Sequence, residues 1–295
     1  MRQAVILGFF GRRRDRFSER GEVLSLSAKF DLAARVPHIK GVEVIFPDEA
    51  DDAQCILAES RRTGLEVAAI NVNLKGRPEF QRGALASPDP RIRLNALTLL
   101  RAAKDLADSI GCPRITCAPL ADGYDYHLQM DYAQAWSNAI EALAAAAQYR
   151  PKIALHIEHK PSDPRVRGLL SRADNIRLLA TECGVGITFN FGHALVSGGS
   201  PAEAWYRFHA EEIPLYVHMC DSSTTWDWDL LGGTHHWWSF VEFLQALRDT
   251  QYGGWITSDT FPIHFDATAM LGANAESTEL WNQWRPPARF PWSAE

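Results

Sequence analysis

Residues 153–158, IALHIE, and residues 186–190, GITFN, are short apolar segments that each end in a polar side chain, Glu158 or Asn190. Short apolar runs that contain β-branched residues are typical of buried strands. The longer stretch between them has the spacing of an amphipathic helix. Because strands and helices alternate in this way, the sequence predicts a parallel sheet.

Segments of this kind recur along most of the chain. We predict eight strands, at residues 4–10, 41–46, 66–71, 114–118, 153–158, 186–190, 215–218 and 254–259. The clearest helices between them are predicted at residues 87–110 and 132–148. Eight such units predict a (β/α)8 TIM barrel, which we place in residues 1–270, followed by an aromatic and Pro-rich extension, residues 271–295. An open doubly wound sheet is the alternative, but no G-x-G-x-x-G turn follows the first strand.

The composition is that of a globular protein with a large apolar core. Hydrophobic residues make up 46% of the 295 residues and charged residues 22%. The net charge of −6 argues against binding to a nucleic-acid backbone. Apolar runs fall short of the ~20 residues that span a bilayer, and the five cysteines contain no C-x-x-C pair. We therefore expect a soluble, cytoplasmic protein with no nucleic-acid and no membrane partner.

Polar side chains gather at the ends of the last four predicted strands. They are Glu158, Asn190, His193, His218, Asp227, Asp229 and Asp259. Because the carboxyl ends of parallel barrel strands meet at one rim, we expect these side chains to lie close together. Oxygen and imidazole donors suit a divalent cation, so the sequence predicts a metal site. Such a site accepts Mn²⁺, Co²⁺ or Mg²⁺. Its donors alone do not choose among the three, and Mn²⁺ is our expectation.

Several of these residues also have an ordinary interpretation. Glu158 and Lys160 lie two residues apart and face the same side of an extended chain, as a surface ion pair does. A histidine that follows a glycine, as His193 does, is often a loop or capping residue. Asp259 could cap the segment that follows it. The order of the residues on four consecutive strands favours a common functional site.

Residues 158–165, EHKPSDPR, resemble the EPKPNEPR signature of xylose isomerases. The order of polar residues resembles the xylose isomerase-like TIM-barrel superfamily, especially sugar isomerases of the L-rhamnose isomerase type, over most of the chain. The resemblance implies a structural metal on Glu158, Asn190, His218 and Asp259, and a catalytic metal on His193, Asp227 and Asp229. It also implies a homodimer or a homotetramer.

Roles in catalysis follow from the same resemblance. Glu158, Lys160 and Asp259 would be catalytic, and Lys160 would hydrogen-bond the carbonyl-end oxygen of a sugar. The residues expected to contact the substrate are Lys160, His193, Asp122, Tyr124, Trp226 and Phe261, the last two because aromatic rings at the mouth stack on sugars. The family usually has a carboxylate where this chain has Asn190, and a neutral amide binds cations less tightly.

The leading hypothesis is therefore a metal-dependent aldose–ketose isomerase that moves a hydride between two carbons of a small-molecule sugar. One alternative is a one-metal ketose 3-epimerase, in which carboxylates on strands five and eight act as base and acid. A second is a non-catalytic sugar-binding homologue, which the amide of Asn190 suggests. A metal-dependent endonuclease on the same barrel is disfavoured by the acidic charge balance.

Overall fold

The computed structural model of the chain describes residues 1–14, 18–49, 52–74, 77–118, 121–122, 124–161, 167–223, 225–261 and 263–284. For residues 14, 121, 122 and 167 the description covers the backbone alone. The second half of the EHKPSDPR segment, residues 162–165, lies outside these ranges, as do residues 285–295 of the predicted extension.

Within the described residues, eight parallel strands form a closed barrel in which each strand pairs with the next along the chain. The strands are β1 (Arg2–Ile6), β2 (Ile39–Phe46), β3 (Glu66–Val72), β4 (Arg114–Cys117), β5 (Ala154–Glu158), β6 (Gly186–Asn190), β7 (Leu215–Met219) and β8 (Trp255–Ser258). Strand β1 also pairs with β8 and closes the ring. The predicted (β/α)8 TIM barrel and all eight predicted strands are confirmed.

One predicted strand ends earlier than expected. The first strand was predicted to reach residue 10, but it ends at Ile6 and Leu7–Phe9 form a turn of 3-10 helix. At Gly8 the chain passes close to β2. A Cβ atom on this residue would lie 2.3 Å from Cδ1 of Ile45. A glycine permits this close approach of backbone to side chain.

Helices cover the outside of the barrel. They are α1 (Leu26–Ala34), α2 (Ala53–Thr63), α3 (Pro90–Ile110), α4 (Tyr132–Gln148), α5 (Ala173–Cys183), α6 (Phe191–Val196), α7 (Pro201–Ala210), α8 (Trp237–Asp249) and α9 (Ala267–Gln283). Helix α4 has the predicted bounds. Helix α3 begins three residues later than predicted, because the Asp89 side chain caps it and Pro90 is its first residue. No helix in the described ranges is both long and apolar enough to cross a membrane.

The predicted boundary at residue 270 falls inside a helix. Helix α9 runs from Ala267 to Gln283, and its Leu271 and Ala275 are buried. The side chain of Gln3 on β1 donates a hydrogen bond to the carbonyl oxygen of Ala275. The first part of the predicted extension, up to Gln283, is therefore a helix that packs on the barrel.

Two kinds of buried side chain fill the fold. Between strands and helices the core is apolar, as where Phe189 stacks on Phe243 with ring centroids 5.1 Å apart. Inside the barrel, buried polar side chains such as Glu43, Tyr216 and His218 hydrogen-bond across the ring. Barrel interiors are usually filled by branched apolar residues. In this protein polar side chains fill the barrel interior below the carboxyl ends of the strands.

Candidate active site

The predicted site residues meet at the carboxyl end of the barrel. Glu158 and Asn190 end β5 and β6, His218 lies one residue before the end of β7, and Asp259 directly follows β8. Glu158, Asn190 and His218 are 4%, 0% and 1% exposed. Four neighbouring strands thus bring four polar side chains together, as the sequence predicted, three of them buried and Asp259 half-buried.

Asn190 connects the carboxylates of this cluster. Its Nδ2 donates hydrogen bonds to Glu158 Oε1 at 2.9 Å and to Asp259 Oδ2 at 2.7 Å. Its Oδ1 caps helix α6 by accepting a hydrogen bond from the backbone N–H of His193 and accepts a second from Cys220 Sγ. Because both contacts of Oδ1 need an acceptor, the amide nitrogen is the atom that faces the carboxylates.

His218 lies beside the same carboxylates. Its Nδ1 is 3.3 Å from Glu158 Oε1 and 3.7 Å from Asp259 Oδ2, and its Nε2 is 3.0 Å from Glu43 Oε2. Burial alone would lower the pKa of His218, but the Glu43 and Glu158 carboxylates outweigh it and raise the pKa well above its ordinary value. Burial raises the pKa of Asp259, against the opposing effect of His218.

Lys160, His193 and Asp227 form a second cluster next to the first. Lys160 donates a hydrogen bond to Asp227 Oδ2, and its Nζ lies 3.1 Å from His193 Nε2. His193 Nδ1 donates to the carbonyl oxygen of His159 at 2.7 Å. Burial opposes a charge on Lys160, but Asp227 and Asp229 raise its pKa, so the side chain is an ammonium. Burial also opposes the charge on Asp227, yet His193 and Lys160 hold its pKa well below the ordinary range.

The loop after β7 is held by a buried aspartate, Asp221. Asp221, which is 0% exposed, accepts hydrogen bonds from the backbone N–H groups of His235 and His236 and from His236 Nδ1. Its backbone pairs with Leu230 in both directions. These contacts close the loop on itself and so fix Asp227 and Asp229 at the barrel mouth.

Of the other predicted substrate contacts, Tyr124 follows β4, Trp226 follows β7 and Phe261 follows β8. Phe261 packs edge-on against Phe9 with ring centroids 5.3 Å apart, and its backbone N–H donates to the carbonyl oxygen of Asp229. Trp226 is 41% exposed, and Tyr124 is half-buried. The side chain of Asp122 lies outside the described part of the chain. Substrate contact by these residues stays a prediction.

The clustered carboxylates and imidazoles carry the kinds of donor atom that a divalent cation needs. Among the described residues, ligand atoms of Glu158, His193 and Asp259 lie within 4.8 Å of one another, as do those of His193, Asp227 and Asp229. Glu158 and Asp259, with the nearby Nδ1 of His218, offer an O/N donor set that fits Mn²⁺, Co²⁺ or Mg²⁺. In the second set an ammonium, that of Lys160, already contacts two of the three members.

Asn190 was predicted as a ligand through its amide oxygen. The structure brings Asn190 to the predicted place, but its oxygen is turned toward α6 and its N–H groups face the carboxylates. An N–H group cannot coordinate a cation. His218 Nδ1, which lies 3.3 Å from Glu158 Oε1 and 3.7 Å from Asp259 Oδ2, could join these two carboxylates around a cation, with Asn190 as a hydrogen-bond donor to both carboxylates.

Glu43 is a buried part of the site that the sequence analysis missed. It lies in the middle of β2 and contacts His218 from across the barrel. The available signal was a single charged residue within the apolar run at residues 41–46, because charged side chains are rarely fully buried without a partner. Its partner could not be identified from the sequence, since 175 positions separate the two residues.

Comparison with known proteins agrees with this architecture. Residues 30–280 match the sequence profile of the xylose isomerase-like TIM barrel family. A xylose isomerase of Thermus thermophilus is 25% identical over 223 residues, which cover 72% of this chain and 56% of that enzyme. The match thus spans only about half the length of this curated relative.

Solved structures show the same fold at lower identity. A D-tagatose 3-epimerase-like protein superposes with a TM-score of 0.70 at 18% identity, over 96% of this chain and 98% of that one. D-psicose 3-epimerase from Clostridium cellulolyticum H10 superposes with a TM-score of 0.69 at 16% identity, over the same shares. Since the family profile covers most of the chain and the barrel agrees with it, this protein belongs to the xylose isomerase-like TIM barrel family.

Proposed function

We propose that this protein is a sugar isomerase or epimerase, which interconverts carbonyl sugars by moving hydrogen at a carbon next to the carbonyl group. The relatives support this reaction class, since their names include a xylose isomerase and several ketose 3-epimerases. The barrel mouth also carries the chemistry that such a reaction needs. It holds carboxylates that can accept a proton and an ammonium that can stabilise a developing oxyanion.

One observation carries the choice between the two mechanisms. The ammonium of Lys160 contacts Asp227 and His193, which belong to the set that a second cation would need. Two positive charges at one small site repel each other strongly where water is excluded. The geometry therefore favours one cation, bound by Glu158, His218 and Asp259, and hence the ketose 3-epimerase over the two-metal hydride shift.

In this proposal the two carboxylates divide the proton transfer. Glu158 on β5 removes the proton from the carbon next to the carbonyl, and Asp259 beside β8 returns one to the opposite face. A divalent cation, when bound, would polarise the substrate oxygens. Lys160 Nζ donates a hydrogen bond to a substrate oxygen, and the contact with Asp227 keeps this ammonium charged and oriented. The substrate class is a small ketose, and catalysis depends on the cation.

Reaction in heavy water tests the mechanism. The purified protein, supplied with Mn²⁺, is incubated in D₂O with ketohexoses such as D-tagatose and D-psicose. We expect an epimerised product that carries one solvent deuterium at the inverted carbon, seen by mass spectrometry and NMR. Glu158→Gln should abolish conversion, because an amide cannot take the proton. Conversion without deuterium in the product would overturn proton transfer by this carboxylate pair.

The second candidate is the aldose–ketose isomerase. It is favoured by the proximity of His193, Asp227 and Asp229, whose ligand atoms lie within 4.8 Å of one another and could hold a second cation if Lys160 moved away. Conversion of an aldose to its ketose with no solvent deuterium would support this candidate. Sugar binding without turnover, with Mn²⁺ or Co²⁺ present, would support a non-catalytic sugar-binding homologue.

A further inference from the structure

We propose that Glu43 is a positioning residue that holds the imidazole of His218 so that Nδ1 faces the Glu158 and Asp259 carboxylates. The inference rests on the proposed function in one respect, namely that this cluster binds a divalent cation. Glu43 is separate from the rim where the cluster lies: it belongs to β2 and reaches His218 through the barrel interior. It has no role in the proton transfer described above.

The carboxylate of Glu43 is held by donors from three other strands. Oε2 accepts from His218 Nε2 at 3.0 Å and from the Tyr216 hydroxyl at 2.8 Å, both on β7. Oε1 accepts from Asn71 Nδ2 on β3 at 2.7 Å and from Thr116 Oγ1 on β4 at 3.0 Å. Glu43 is 0% exposed, so its orientation is set by these four contacts and not by water.

When a cation is bound, only one nitrogen of His218 keeps its proton, and this arrangement decides which one. A carboxylate with its charge can only accept, so the Nε2 atom that faces Glu43 must donate. When a cation is bound, Nδ1 is then the nitrogen left with a lone pair, and it is the nitrogen 3.3 Å from Glu158 Oε1. A hydrogen bond to the ring nitrogen that does not bind the metal fixes the tautomer and the ring orientation of metal-binding histidines.

A carboxylate is needed here rather than any polar side chain. Burying a charge is costly unless it is paired and fully hydrogen-bonded. An amide at residue 43 could serve Asn71 and Thr116 through its oxygen, but its N–H groups would then face His218 Nε2 and the Tyr216 hydroxyl. The His218 ring would have to change its tautomer or rotate, and either change turns its lone pair away from the cluster.

Binding of Co²⁺ to the metal-stripped protein tests the proposal. Affinity is measured by calorimetric titration, and the visible absorption of Co²⁺ reports the ligand geometry. We expect Glu43→Gln to weaken Co²⁺ binding by about 10–100-fold and to change the absorption band, the usual effect of removing such a partner. The matched control is Tyr216→Phe, which removes a hydrogen bond to the same Glu43 oxygen and leaves His218 paired. It should bind Co²⁺ within about threefold of the unaltered protein, well short of the effect at Glu43.

The outcomes separate this proposal from the proposed function. If Glu43→Gln lowers the melting temperature but binds Co²⁺ as the unaltered protein does, Glu43 is merely structural and the positioning role is wrong. Failure of the unaltered protein to bind Co²⁺ would also overturn it. Co²⁺ binding that responds to Glu43→Gln in a protein that converts no sugar would leave this inference standing and refute the proposed function. If Glu43→Gln does not fold, Glu43→Asp replaces it, with an expected loss of about tenfold.

Discussion

At the residue scale, the orientation of the Asn190 amide decides whether this side chain can be a metal ligand. Its oxygen caps α6 and its nitrogen donates to both Glu158 and Asp259, so the side chain holds the two carboxylates together without adding a ligand oxygen. The sequence put an amide in the expected position. The hydrogen bond to His193 N decided which end of that amide faces the cluster.

Asn190→Asp is expected to tighten cation binding. An aspartate can still cap α6 with one oxygen, and its second oxygen adds an anionic ligand between Glu158 and Asp259. Mn²⁺ affinity, measured by calorimetry, should rise by about tenfold or more, the effect of about 1.4 kcal/mol. Without a cation the melting temperature should fall, because three carboxylates held close together repel one another. The control, Asn190→Ala, loses the cap and should be destabilised with or without Mn²⁺. Equal Mn²⁺ affinities for Asn190→Asp and the unaltered protein would contradict the prediction that an added carboxylate tightens cation binding.

Lys160→Met tests whether the lysine takes the place of a second cation. Removing the ammonium leaves His193, Asp227 and Asp229 with unbalanced negative charge, so the number of Co²⁺ ions per chain is expected to rise from one to two. Turnover should fall by about 10²-fold or more, as when a donor to a developing oxyanion is lost. Metal content after gel filtration measures the first effect. The control is Lys29→Met, which breaks a distant ion pair with Glu49 and should keep one Co²⁺ per chain. One Co²⁺ per chain in both variants would refute the view that Lys160 takes the place of a second cation.

At the element scale, the loop after β7 depends on Asp221. Backbone N–H groups of His235 and His236 and the side chain of His236 all donate to this one carboxylate. The sequence identified Asp227 and Asp229 as ligands from their position after a strand. It could not show that Asp221 organises the loop, because its partners lie 14 and 15 residues away along irregular backbone.

Asp221→Asn should loosen this loop while the barrel stays folded. The N–H groups of the new amide would face N–H donors that meet a carboxylate in the unaltered protein. This should lower the free energy of unfolding by about 2 kcal/mol. Urea denaturation measures this cost, and hydrogen exchange should become faster in residues 225–236. Asp249→Asn at the surface end of α8 serves as the comparison and should change stability by no more than about 0.5 kcal/mol. Unchanged exchange in the loop would show that Asp221 does not hold it.

At the scale of the whole molecule, an aromatic surface is left on the outside of the barrel. Trp237 and Trp238 at the start of α8 contact each other and are 53% and 46% exposed. Trp281 and Trp284, at the end of α9, continue the same cluster. Exposed aromatic clusters of this kind are typical of protein interfaces. A homodimer or homotetramer therefore stays the prediction.

Trp238→Glu is expected to lower the oligomeric state. A charge placed in an aromatic contact must lose its hydration on assembly, which should weaken association by several kcal/mol. Light scattering after gel filtration measures the mass, and the unaltered protein should run as a dimer or tetramer. Leu178→Glu replaces another exposed apolar residue, on α5, and should leave the mass unchanged. A monomeric unaltered protein would refute the prediction.

The order of the barrel strands was readable from the sequence because a buried strand needs a local apolar run, and each run carries its own signal. The position of Glu158, Asn190, His218 and Asp259 at one rim followed from the same rule, since parallel strands end at the same side. The bounds of α4 were set by local capping and helical spacing and were predicted correctly.

Contacts across the barrel were decided by the tertiary structure. The pairing of Glu43 with His218, the contact of Lys160 with Asp227 and the orientation of the Asn190 amide all join residues that are distant in sequence or choose between two ends of one side chain. Their distances are set by strand register and by the closure of the loop after β7, which no local pattern encodes. The sequence therefore determined which chemical groups reach the barrel mouth, and the fold decided which atoms of those groups face one another.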